Sequence, residues 1–260
     1  MEKIKLGILG PKGKMGQSII DESKGFPVFV LSSLCERTGH RDIGKIYKGL
    51  RIMDNVEELI SKSEVIIDFT SPSSTLNLIE LLKKKKDTAL VVGTTGFNEE
   101  EESNFLKSIN GLKVLRSSNM SLGVNLVFHL TEIISEKLGE KADVEIIETH
   151  HRYKKDAPSG TALTLGEHVK KGRHKTSIAR SVYRGLNFDS ERQADEIGFS
   201  SIRGGDVVGE HSVMFLMNGE RIELKHSASS RKIFSQGALR AASWIKNQTP
   251  GLYSVKDMLL

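Results

Sequence analysis

The stretch from Glu148 to Ala162 has the highest density of side chains that could take part in chemistry. It contains two adjacent histidines, several cations, and two hydroxyl groups around a glycine: His150, His151, Arg152, Lys154, Lys155, Ser159, Gly160 and Thr161. An imidazole can act as a general acid, and the hydroxyl and amide groups at a helix start can bind a carboxylate. This predicts a pocket for a small anion beside a proton donor. A charged, solvated loop is the open alternative.

The same histidines do not predict a metal site. Adjacent residues of a strand point in different directions, and no third zinc ligand stands nearby. The other histidines that we considered fall in helical or strand patterns, where we expect structural roles: His129, His168, His211 and His226. The single cysteine, Cys35, excludes an internal disulfide and indicates a reducing compartment.

A glycine-rich turn, Gly-Pro-Lys-Gly-Lys-Met-Gly, follows the first apolar run of the sequence. Glycines let the backbone turn tightly and approach a diphosphate, whose charge is stabilised by the N–H groups that begin the next helix. Lys12 replaces the middle glycine of the usual dinucleotide pattern, so an ordinary strand-to-helix turn is the alternative. The turn predicts cofactor binding by Gly10, Pro11, Lys12, Gly13, Lys14, Met15 and Gly16.

Glu36 lies 20 residues after Gly16, beyond the second predicted strand, and Arg37 follows it. In dinucleotide-binding folds, a carboxylate at this place accepts hydrogen bonds from the adenosine ribose of NADH. A guanidinium can instead pair with the 2′-phosphate of NADPH. Together the two residues predict that either cofactor is used. A solvated ion pair is the alternative if the glycine turn has another role.

Two further turns follow predicted strands and carry small or hydroxyl-bearing residues. Taken alone, each is an ordinary turn signal. The carboxyl ends of parallel strands meet at one edge of a sheet, so we expect both turns to approach the nicotinamide and its ribose. The predicted cofactor residues in these turns are Gly93, Thr94, Thr95, Ser117, Ser118, Asn119 and Met120.

Alternating strands and helices in the first half must position these turns. The predicted strands are Ile4–Leu9, Val28–Leu34, Val65–Phe69, Ala89–Val92 and Lys113–Leu115. The predicted helices are Met15–Ser23, Val56–Ser61, Ser73–Lys86 and Glu99–Ile109. This alternation predicts right-handed βαβ units and a Rossmann-like parallel sheet.

After about Met120 the pattern changes to long strands with few helices between them. The predicted elements are a helix at Gly123–Leu138, strands at Asp143–Thr149, Gly198–Arg203, His211–Met217 and Glu220–Ser227, and a final helix at Ile233–Lys246. Long strands with few crossovers predict a second α+β domain that contains a mixed sheet. The fold class predicted for the whole chain is therefore α/β.

The formal net charge of +5 favours anionic partners. The basic run Lys83–Lys86 ends a predicted helix, where cations complement the helix dipole. Aromatic residues do not interleave with this run, so we expect no nucleic-acid partner. The sequence has no apolar run of about 18 residues and no signal-peptide pattern, so we expect no membrane partner and a cytoplasmic location.

Six motifs occur in one order along the chain. They are Gly10-x-x-Gly13-x-Met-Gly16, Asp68-Phe-Thr70, Gly93-Thr-Thr-Gly96, Asn119-Met-Ser-x-Gly-Val-Asn125, the Glu148–Ala162 run, and Gly205-Asp-Val-Val-Gly-Glu-His211. In this order they strongly resemble the dihydrodipicolinate reductase family, also called 4-hydroxy-tetrahydrodipicolinate reductases. The resemblance spans nearly the whole chain, and its most specific part runs from His150 to Thr161.

The resemblance implies an enzyme of the diaminopimelate and lysine pathway that reduces a small dicarboxylate substrate with NADH or NADPH. It implies hydride transfer to C4 of the substrate and proton transfer to C3. His150 resembles the general acid of the family, and Lys154 resembles its catalytic cation. The implied substrate-binding residues are His151, Ser159, Gly160 and Thr161.

The resemblance also implies a division of labour along the chain. Residues 1–121 and 231–260 would form the dinucleotide-binding domain. Residues 122–230 would bind the substrate and join four subunits into a homotetramer.

Two other functions compete with this interpretation. A regulator that senses NAD(P)H without turnover would explain the glycine turn, but it leaves the cluster from His150 to Thr161 unexplained. A different dehydrogenase would need another acid or a cysteine nucleophile. Cys35 ends a strand on the cofactor side and is poorly placed for that role.

Overall fold

The structure is a computed structural model that describes residues 2–85, 87–173, 180–185 and 188–260. The chain divides into two compact units. The first unit combines Met1–Leu122 with Lys232–Leu260, and the second is the intervening Gly123–Arg231. The first unit is therefore assembled from two separate segments of sequence.

The first segment alternates strands and helices, as its pattern predicts. Its elements are β1 (Ile4–Leu9), α1 (Lys14–Glu22), β2 (Phe29–Cys35), β3 (Ile46–Tyr47), β4 (Leu50–Met53), α2 (Val56–Lys62), β5 (Val65–Asp68), α3 (Pro72–Leu82), β6 (Ala89–Val92), α4 (Glu99–Ser108) and β7 (Lys113–Arg116). Asn98 begins α4 with a capping box, in which Asn98 and Glu101 each bind the other's backbone N–H at 2.9 Å.

The second unit begins with a long helix and continues mainly as strands. Its elements are α5 (Leu122–Leu138), β8 (Asp143–His150), α6 (Gly160–Gly172), β9 (Arg180–Val182), β10 (Glu196–Arg203), β11 (Gly209–Met217) and β12 (Glu220–Ala228). The chain then returns to the first unit with α7 (Lys232–Ile245), β13 (Gly251–Tyr253) and α8 (Val255–Leu259).

The sheet of the first unit has the order β13-β7-β6-β5-β1-β2-β4-β3. Its pairs are parallel except β3 with β4. Every residue of β5 and β6 is buried, as expected for parallel strands covered on both faces. Val65 and Ile67 belong to one apolar cluster and Ile66 to another, so the sheet separates two cores. The parallel arrangement brings the turns after these strands to one edge.

The second unit contains a mixed sheet with the order β12-β11-β8-β10-β9. Strand β8 pairs in parallel with β10 and antiparallel with β11. Alternate residues of β8 are buried, and Val144 and Ile146 pack with Leu165 and Val169 of α6. The predicted fold class, a Rossmann-like parallel sheet followed by an α+β region with a mixed sheet, is confirmed.

Several predicted boundaries are wrong. Helix α3 ends at Leu82 rather than continuing to residue 86. The exposed residues Lys83–Lys85 follow it, and Lys86 lies outside the described residues. The short strands β3, β4, β9 and β13 were not predicted, because two to four residues carry too little periodicity. Within the part of the chain that the structure describes, no helix is long and apolar enough to cross a membrane.

Candidate active site

The glycine turn between β1 and α1 has the backbone shape that a diphosphate requires. Gly10 has φ +73°, a conformation that residues with a side chain rarely adopt. A Cβ at position 16 would lie 2.1 Å from the carbonyl oxygen of Gly10, so only glycine fits there. Gly13 is the N-cap of α1. The positive end of that helix therefore opens onto the turn.

Glu36 is buried at the end of β2 and makes two contacts that the sequence did not predict. Its carboxylate accepts hydrogen bonds from the backbone N–H groups of Lys12 at 2.9 Å and Arg37 at 3.3 Å. Glu36 therefore ties the glycine turn to β2. The Arg37 side chain is exposed beside it.

A cleft of about 460 Å³ opens at the carboxyl ends of β1, β2 and β5. Its size is that of a typical pocket for a small molecule or cofactor. It is lined by Leu9, Gly10, Gly13, Glu36, Arg37, Thr38, Asp54, Val56, Phe69, Thr70, Ser71, Ser74 and Asn77. Among these residues, Gly10, Gly13, Glu36 and Arg37 are the ones predicted from the sequence to bind the cofactor. A glycine turn, a carboxylate, a guanidinium and several hydroxyls fit a phosphorylated dinucleotide.

Thr94 belongs to a buried hydrogen-bonded group around Asp68, at the end of β5. The Asp68 carboxylate accepts hydrogen bonds from the hydroxyl groups of Thr70 (2.6 Å), Thr75 (2.5 Å) and Thr94 (3.3 Å). Burial raises the pKa of Asp68, although these hydroxyl groups oppose the shift. The N–H of Gly93 donates to the Asp68 carbonyl oxygen at 2.8 Å. Thr94 therefore supports the turn from inside.

The other predicted cofactor residues differ in their exposure. Thr95 and Ser118 are exposed in the loops that follow β6 and β7. The Ser117 hydroxyl donates to the carbonyl oxygen of Asn119 at 2.7 Å and shapes the second loop. Met120 is 1% exposed and packs in the apolar core. Any cofactor contact at Met120 must therefore involve its backbone rather than its side chain.

In the second unit, the register of the mixed sheet brings polar side chains from four strands into one row. The directly paired positions on β10, β8, β11 and β12 hold Ser201, Glu148, His211 and His226. His150 follows Glu148 by two residues, so both side chains lie on the same face of β8. Arg203 pairs with His150 across the β8–β10 ladder. Residues far apart in sequence therefore form one cluster.

Glu148, at the centre of this cluster, is 1% exposed. Arg203 donates two hydrogen bonds to its carboxylate, at 2.9 Å to Oε2 and 2.7 Å to Oε1. The Nδ1 of His150 lies 2.5 Å from Oε2, and the N–H of Ser159 donates to Oε1 at 3.3 Å. Burial would raise the pKa of Glu148, but the hydrogen bonds from Arg203 and His150 outweigh it and lower the pKa to about 2. Glu148 is therefore ionised at neutral pH.

The imidazole of His211 contacts that of His150 edge to face, with ring centroids 5.1 Å apart. Its Nε2 lies 3.0 Å from the hydroxyl oxygen of Ser159. Burial, together with the charge of a protonated His150, lowers the pKa of His211 to about 4. Burial also lowers the pKa of His150, and the carboxylate of Glu148 opposes that shift. Both rings are therefore mainly neutral at pH 7.

Lys154 lies in the loop that follows β8, and its side chain is 20% exposed. Its Nζ forms an ion pair with the carboxylate of Asp156 at 2.8 Å. The carbonyl oxygen of Asp156 accepts a hydrogen bond from Arg203 at 2.7 Å. Asp156 therefore connects the predicted catalytic cation to the residue that binds Glu148. The neighbouring Lys155 is exposed.

The helix start that the sequence predicts to bind an anion is the N-terminus of α6. Ser159 is its N-cap, and the serine hydroxyl accepts a hydrogen bond from the N–H of Ala162 at 3.2 Å. Gly160 and Thr161 occupy the first turn, where backbone N–H groups point towards the helix start. His151 is half-buried, and its Nε2 lies 3.4 Å from the Arg231 guanidinium. Both groups belong to the same unit as Glu148 and His150.

Sequence reasoning missed three members of this cluster: Glu148, Arg203 and His211. Glu148 could have been found from the alternation of Val144, Ile146 and Glu148, because this pattern places a charged residue on the buried face of a strand. His211 was expected to have a structural role, whereas it lies beside His150. Among the described residues, no three potential metal ligands lie close enough together to hold an ion.

A parallel sheet with a glycine turn and a cleft at its carboxyl edge, together with a buried acid–base cluster, defines an oxidoreductase that uses a dinucleotide. Comparisons with known proteins identify the family. Residues 4–120 match the family model "Dihydrodipicolinate reductase, N-terminus", and residues 123–259 match "Dihydrodipicolinate reductase, C-terminus". The chain belongs to the dihydrodipicolinate reductase family, which uses NADH or NADPH.

Relatives named 4-hydroxy-tetrahydrodipicolinate reductase match over their full length. The protein from Pelagibacter ubique is 43% identical, over 100% of this chain and 99% of that one. The protein from Hahella chejuensis is 41% identical, over 98% of both chains. A solved structure of dipicolinate-bound dihydrodipicolinate reductase from Paenisporosarcina sp. TG-14 superposes with a TM-score of 0.76 at 25% identity, covering 100% of both chains. The family predicted from the sequence motifs is confirmed.

Proposed function

We propose that this chain reduces 4-hydroxy-tetrahydrodipicolinate, the hydrated form of dihydrodipicolinate, to tetrahydrodipicolinate with NADH or NADPH. The product lies on the pathway to diaminopimelate and lysine. The main support for the proposal is the buried cluster in which an ionised Glu148 contacts both His150 and Arg203. Support also comes from the full-length relatives that are named for this reaction.

The substrate carries two carboxylates, and the second unit offers complementary groups. Lys154 contributes a positive charge at the edge of the cluster. The first turn of α6, at Gly160 and Thr161, favours a carboxylate through its N–H groups and its dipole. Ser159 is 2% exposed and holds this turn in place, and His151 adds a further polar contact. The solved relative with bound dipicolinate is consistent with a cyclic dicarboxylate ligand.

When bound, NADH or NADPH supplies a hydride to C4 of the conjugated imine that forms when the 4-hydroxyl leaves as water. His150 donates a proton to C3, which restores the C=N double bond and leaves the imidazole neutral. Lys154 stabilises the negative charge that develops on the substrate before this proton arrives. Substrate carboxylates raise the pKa of His150, which favours the protonated acid in the complex.

We assign cofactor binding to the first unit, residues 1–121 and 231–260, and substrate binding and oligomerisation to residues 122–230. The turn from Gly10 to Gly16 accommodates the diphosphate, and Glu36 and Arg37 lie at the adenosine ribose. The loops with Gly93, Thr94, Thr95, Ser117, Ser118, Asn119 and Met120 support the nicotinamide end. The cleft and the fixed shape of the glycine turn support this assignment.

We also propose that four copies of the chain assemble. Strand β12 is one edge strand of the mixed sheet, and most of its residues are exposed. An open edge of nine residues is a surface that proteins normally cover. Light scattering at micromolar concentration should give four times the mass of one chain. A monomer would refute the assembly without affecting the proposed reaction.

A coupled assay tests the proposed reaction. Dihydrodipicolinate synthase product is generated in the cuvette, and the loss of NADH or NADPH absorbance is followed after the purified chain is added. We expect turnover that depends on both the product and the cofactor. Tight binding of NADH by calorimetry without turnover would instead indicate a sensor. Turnover only with another carbonyl or imine substrate would indicate a different dehydrogenase.

A further inference from the structure

The contact between Glu148 and His150 fixes where the hydrogen lies on the imidazole. A carboxylate with a pKa of about 2 carries no proton at neutral pH and can only accept hydrogen bonds. Because Nδ1 of His150 lies 2.5 Å from Oε2 of Glu148, that nitrogen must carry the hydrogen. The neutral ring then has its lone pair on Nε2.

We propose that Glu148 and Arg203 are positioning residues that commit His150 to exchange its catalytic proton through Nε2 alone. The catalytic part of this inference rests on the proposed function. The placement of the hydrogen on Nδ1 and of the lone pair on Nε2 does not depend on it. Arg203 binds both carboxylate oxygens of Glu148 and so fixes the plane of the carboxylate. Without Arg203, the buried carboxylate of Glu148 would lose both hydrogen bonds from the guanidinium that stabilises its charge.

The surroundings of Nε2 fit this assignment. A Cβ at position 209 would lie 3.0 Å from Nε2 of His150, so the glycine there leaves that side of the ring open. Within the described parts of the chain, Nε2 makes no hydrogen bond, whereas Nδ1 is held by Glu148. The open nitrogen is therefore the one that can reach a substrate.

The charged and titratable groups around His150 come from several elements. Glu148 lies on the same strand, Arg203 on β10, His211 on β11 and Lys154 in the loop after β8. His226 follows on β12, next to His211. His211 has a pKa of about 4 and stays neutral, so it does not compete as the acid. Glu148 stabilises a positive charge on His150, while Lys154 and Arg203 oppose it.

The first test is nitrogen NMR of the protein labelled with ¹⁵N-histidine. The His150 signals are assigned by their absence from the His150→Gln variant, and the chemical shifts of Nδ1 and Nε2 are read at a pH where the ring is neutral. We expect the hydrogen on Nδ1. A hydrogen on Nε2 in the neutral protein would overturn the inference, whatever the activity assays show.

The second test replaces the carboxylate by an amide in Glu148→Gln, with Glu148→Asp as the variant that keeps the charge. Arg203 would hold the amide oxygen, so the amide nitrogen would donate to Nδ1 and move the ring hydrogen to Nε2. We expect kcat to fall by roughly 10–10³-fold, as when a carboxylate that orients a catalytic histidine is lost. KM for NADH should stay unchanged. Glu148→Asp should recover part of kcat.

The pH profile separates positioning from a merely structural role. A general acid must be protonated, so kcat/KM is high below the pKa of His150 and falls as pH rises through it. Removal of the Glu148 charge lowers that pKa, so the fall should begin at lower pH in Glu148→Gln. The inference would be overturned if a folded Glu148→Gln variant kept the same His150 tautomer and the same pH dependence of kcat/KM as the unmodified protein. If this variant does not fold, the spectrum of the unmodified protein decides.

Arg203→Lys tests the contribution of Arg203, with Arg240→Lys as a matched control, because Arg240 is exposed on α7. Lysine keeps the charge but loses the two-point contact. We expect kcat to fall about tenfold in Arg203→Lys, with normal kinetics in the control. Equal kinetics in both variants would remove Arg203 from the proposal. Failure of the proposed function is a separate result, namely no turnover of the synthase product in the coupled assay with the unmodified protein.

Discussion

The two candidate binding regions depend on different parts of the polypeptide, one on main-chain conformation and the other on side-chain contacts. In the first unit, the glycine turn beside the cofactor cleft depends on backbone shape, with a glycine at φ +73° and another that has no room for a Cβ. In the second unit, the acid–base cluster is formed by side chains. Glu148 lies at its centre and contacts both Arg203 and His150. In the proposed function, the first region binds a large cofactor that many proteins share, and the second carries out one reaction.

This difference predicts two kinds of sensitivity. A site that depends on main-chain conformation tolerates substitutions that change charge better than substitutions that add volume, because a new side chain collides with the main chain. A site made of coupled ionisable groups tolerates changes of volume better than changes of charge, because every partner was stabilised by the charge that is lost. Substitutions that change only volume or only charge therefore distinguish the two regions.

The largest effect should come from His150→Gln, which removes the proton donor with little change in size. We expect kcat to fall by roughly 10²–10⁴-fold, the usual contribution of a general acid. The Kd for NADH, measured by fluorescence titration, should stay close to that of the unmodified protein. Near-normal kcat would transfer the acid role to His151 or to water, and His151→Gln serves as the comparison.

A smaller loss should follow from Lys154→Met, which keeps the length of the side chain and removes its charge. We expect kcat/KM for the dicarboxylate to fall by about 10²-fold, equivalent to about 3 kcal/mol. Lys155→Met is the matched control, because Lys155 is adjacent in sequence and exposed. If both variants show the same kinetics, Lys154 acts as an ordinary surface cation paired with Asp156.

Gly16→Ala tests the other kind of site, because it adds one methyl group and no charge. The new Cβ would lie 2.1 Å from the carbonyl oxygen of Gly10 and would displace the turn. We expect the Kd for NADH to rise by roughly tenfold, since overpacking costs about 1–3 kcal/mol. Gly25→Ala is the control, because a Cβ at that position meets nothing within 4 Å. Unchanged NADH affinity in Gly16→Ala would disprove the assignment of this turn to the diphosphate.

The smallest effects concern the choice between NADH and NADPH. We expect the two cofactors to be used within about tenfold, or about 1.4 kcal/mol, because Glu36 and Arg37 favour opposite partners. Glu36→Gln should shift the ratio of kcat/KM towards NADPH, and Arg37→Met should shift it towards NADH. Salt should weaken the NADPH preference of Glu36→Gln. If neither substitution changes the ratio, these side chains do not reach the ribose.

The sequence predicts the first unit well because its signals are local. Strands β1 and β6 have the bounds that their apolar runs predict, since each run ends at a glycine. The glycine turn is also a contiguous pattern. The contacts of Glu36 with Lys12 and the burial of Met120 were not predicted, because they depend on how the turn folds back onto the sheet.

The second unit shows where local signals end. His150 and Lys154 belong to a run that stands out by composition, but their partners do not. Arg203 lies 55 residues from Glu148 in sequence, and His211 lies 52 residues from Ser159. Their proximity follows from the strand order β12-β11-β8-β10-β9 and from the register of each pair. Neither order nor register can be derived from spacing along the chain.

Because the chain returns to its first unit, the two units cannot complete their folding in the order in which they begin on the ribosome. Helix α7 contributes Ala238, Leu239 and Ala242 to the core that β1 and β5 begin. At about 5–20 residues per second, the 109 residues from Gly123 to Arg231 take on the order of ten seconds to synthesise. The nascent cofactor unit must wait that long for its missing helix, whereas the inserted unit is already complete. Translation that stops before α7 therefore yields a polypeptide with all the residues of the acid–base cluster but an incomplete apolar core in the cofactor unit.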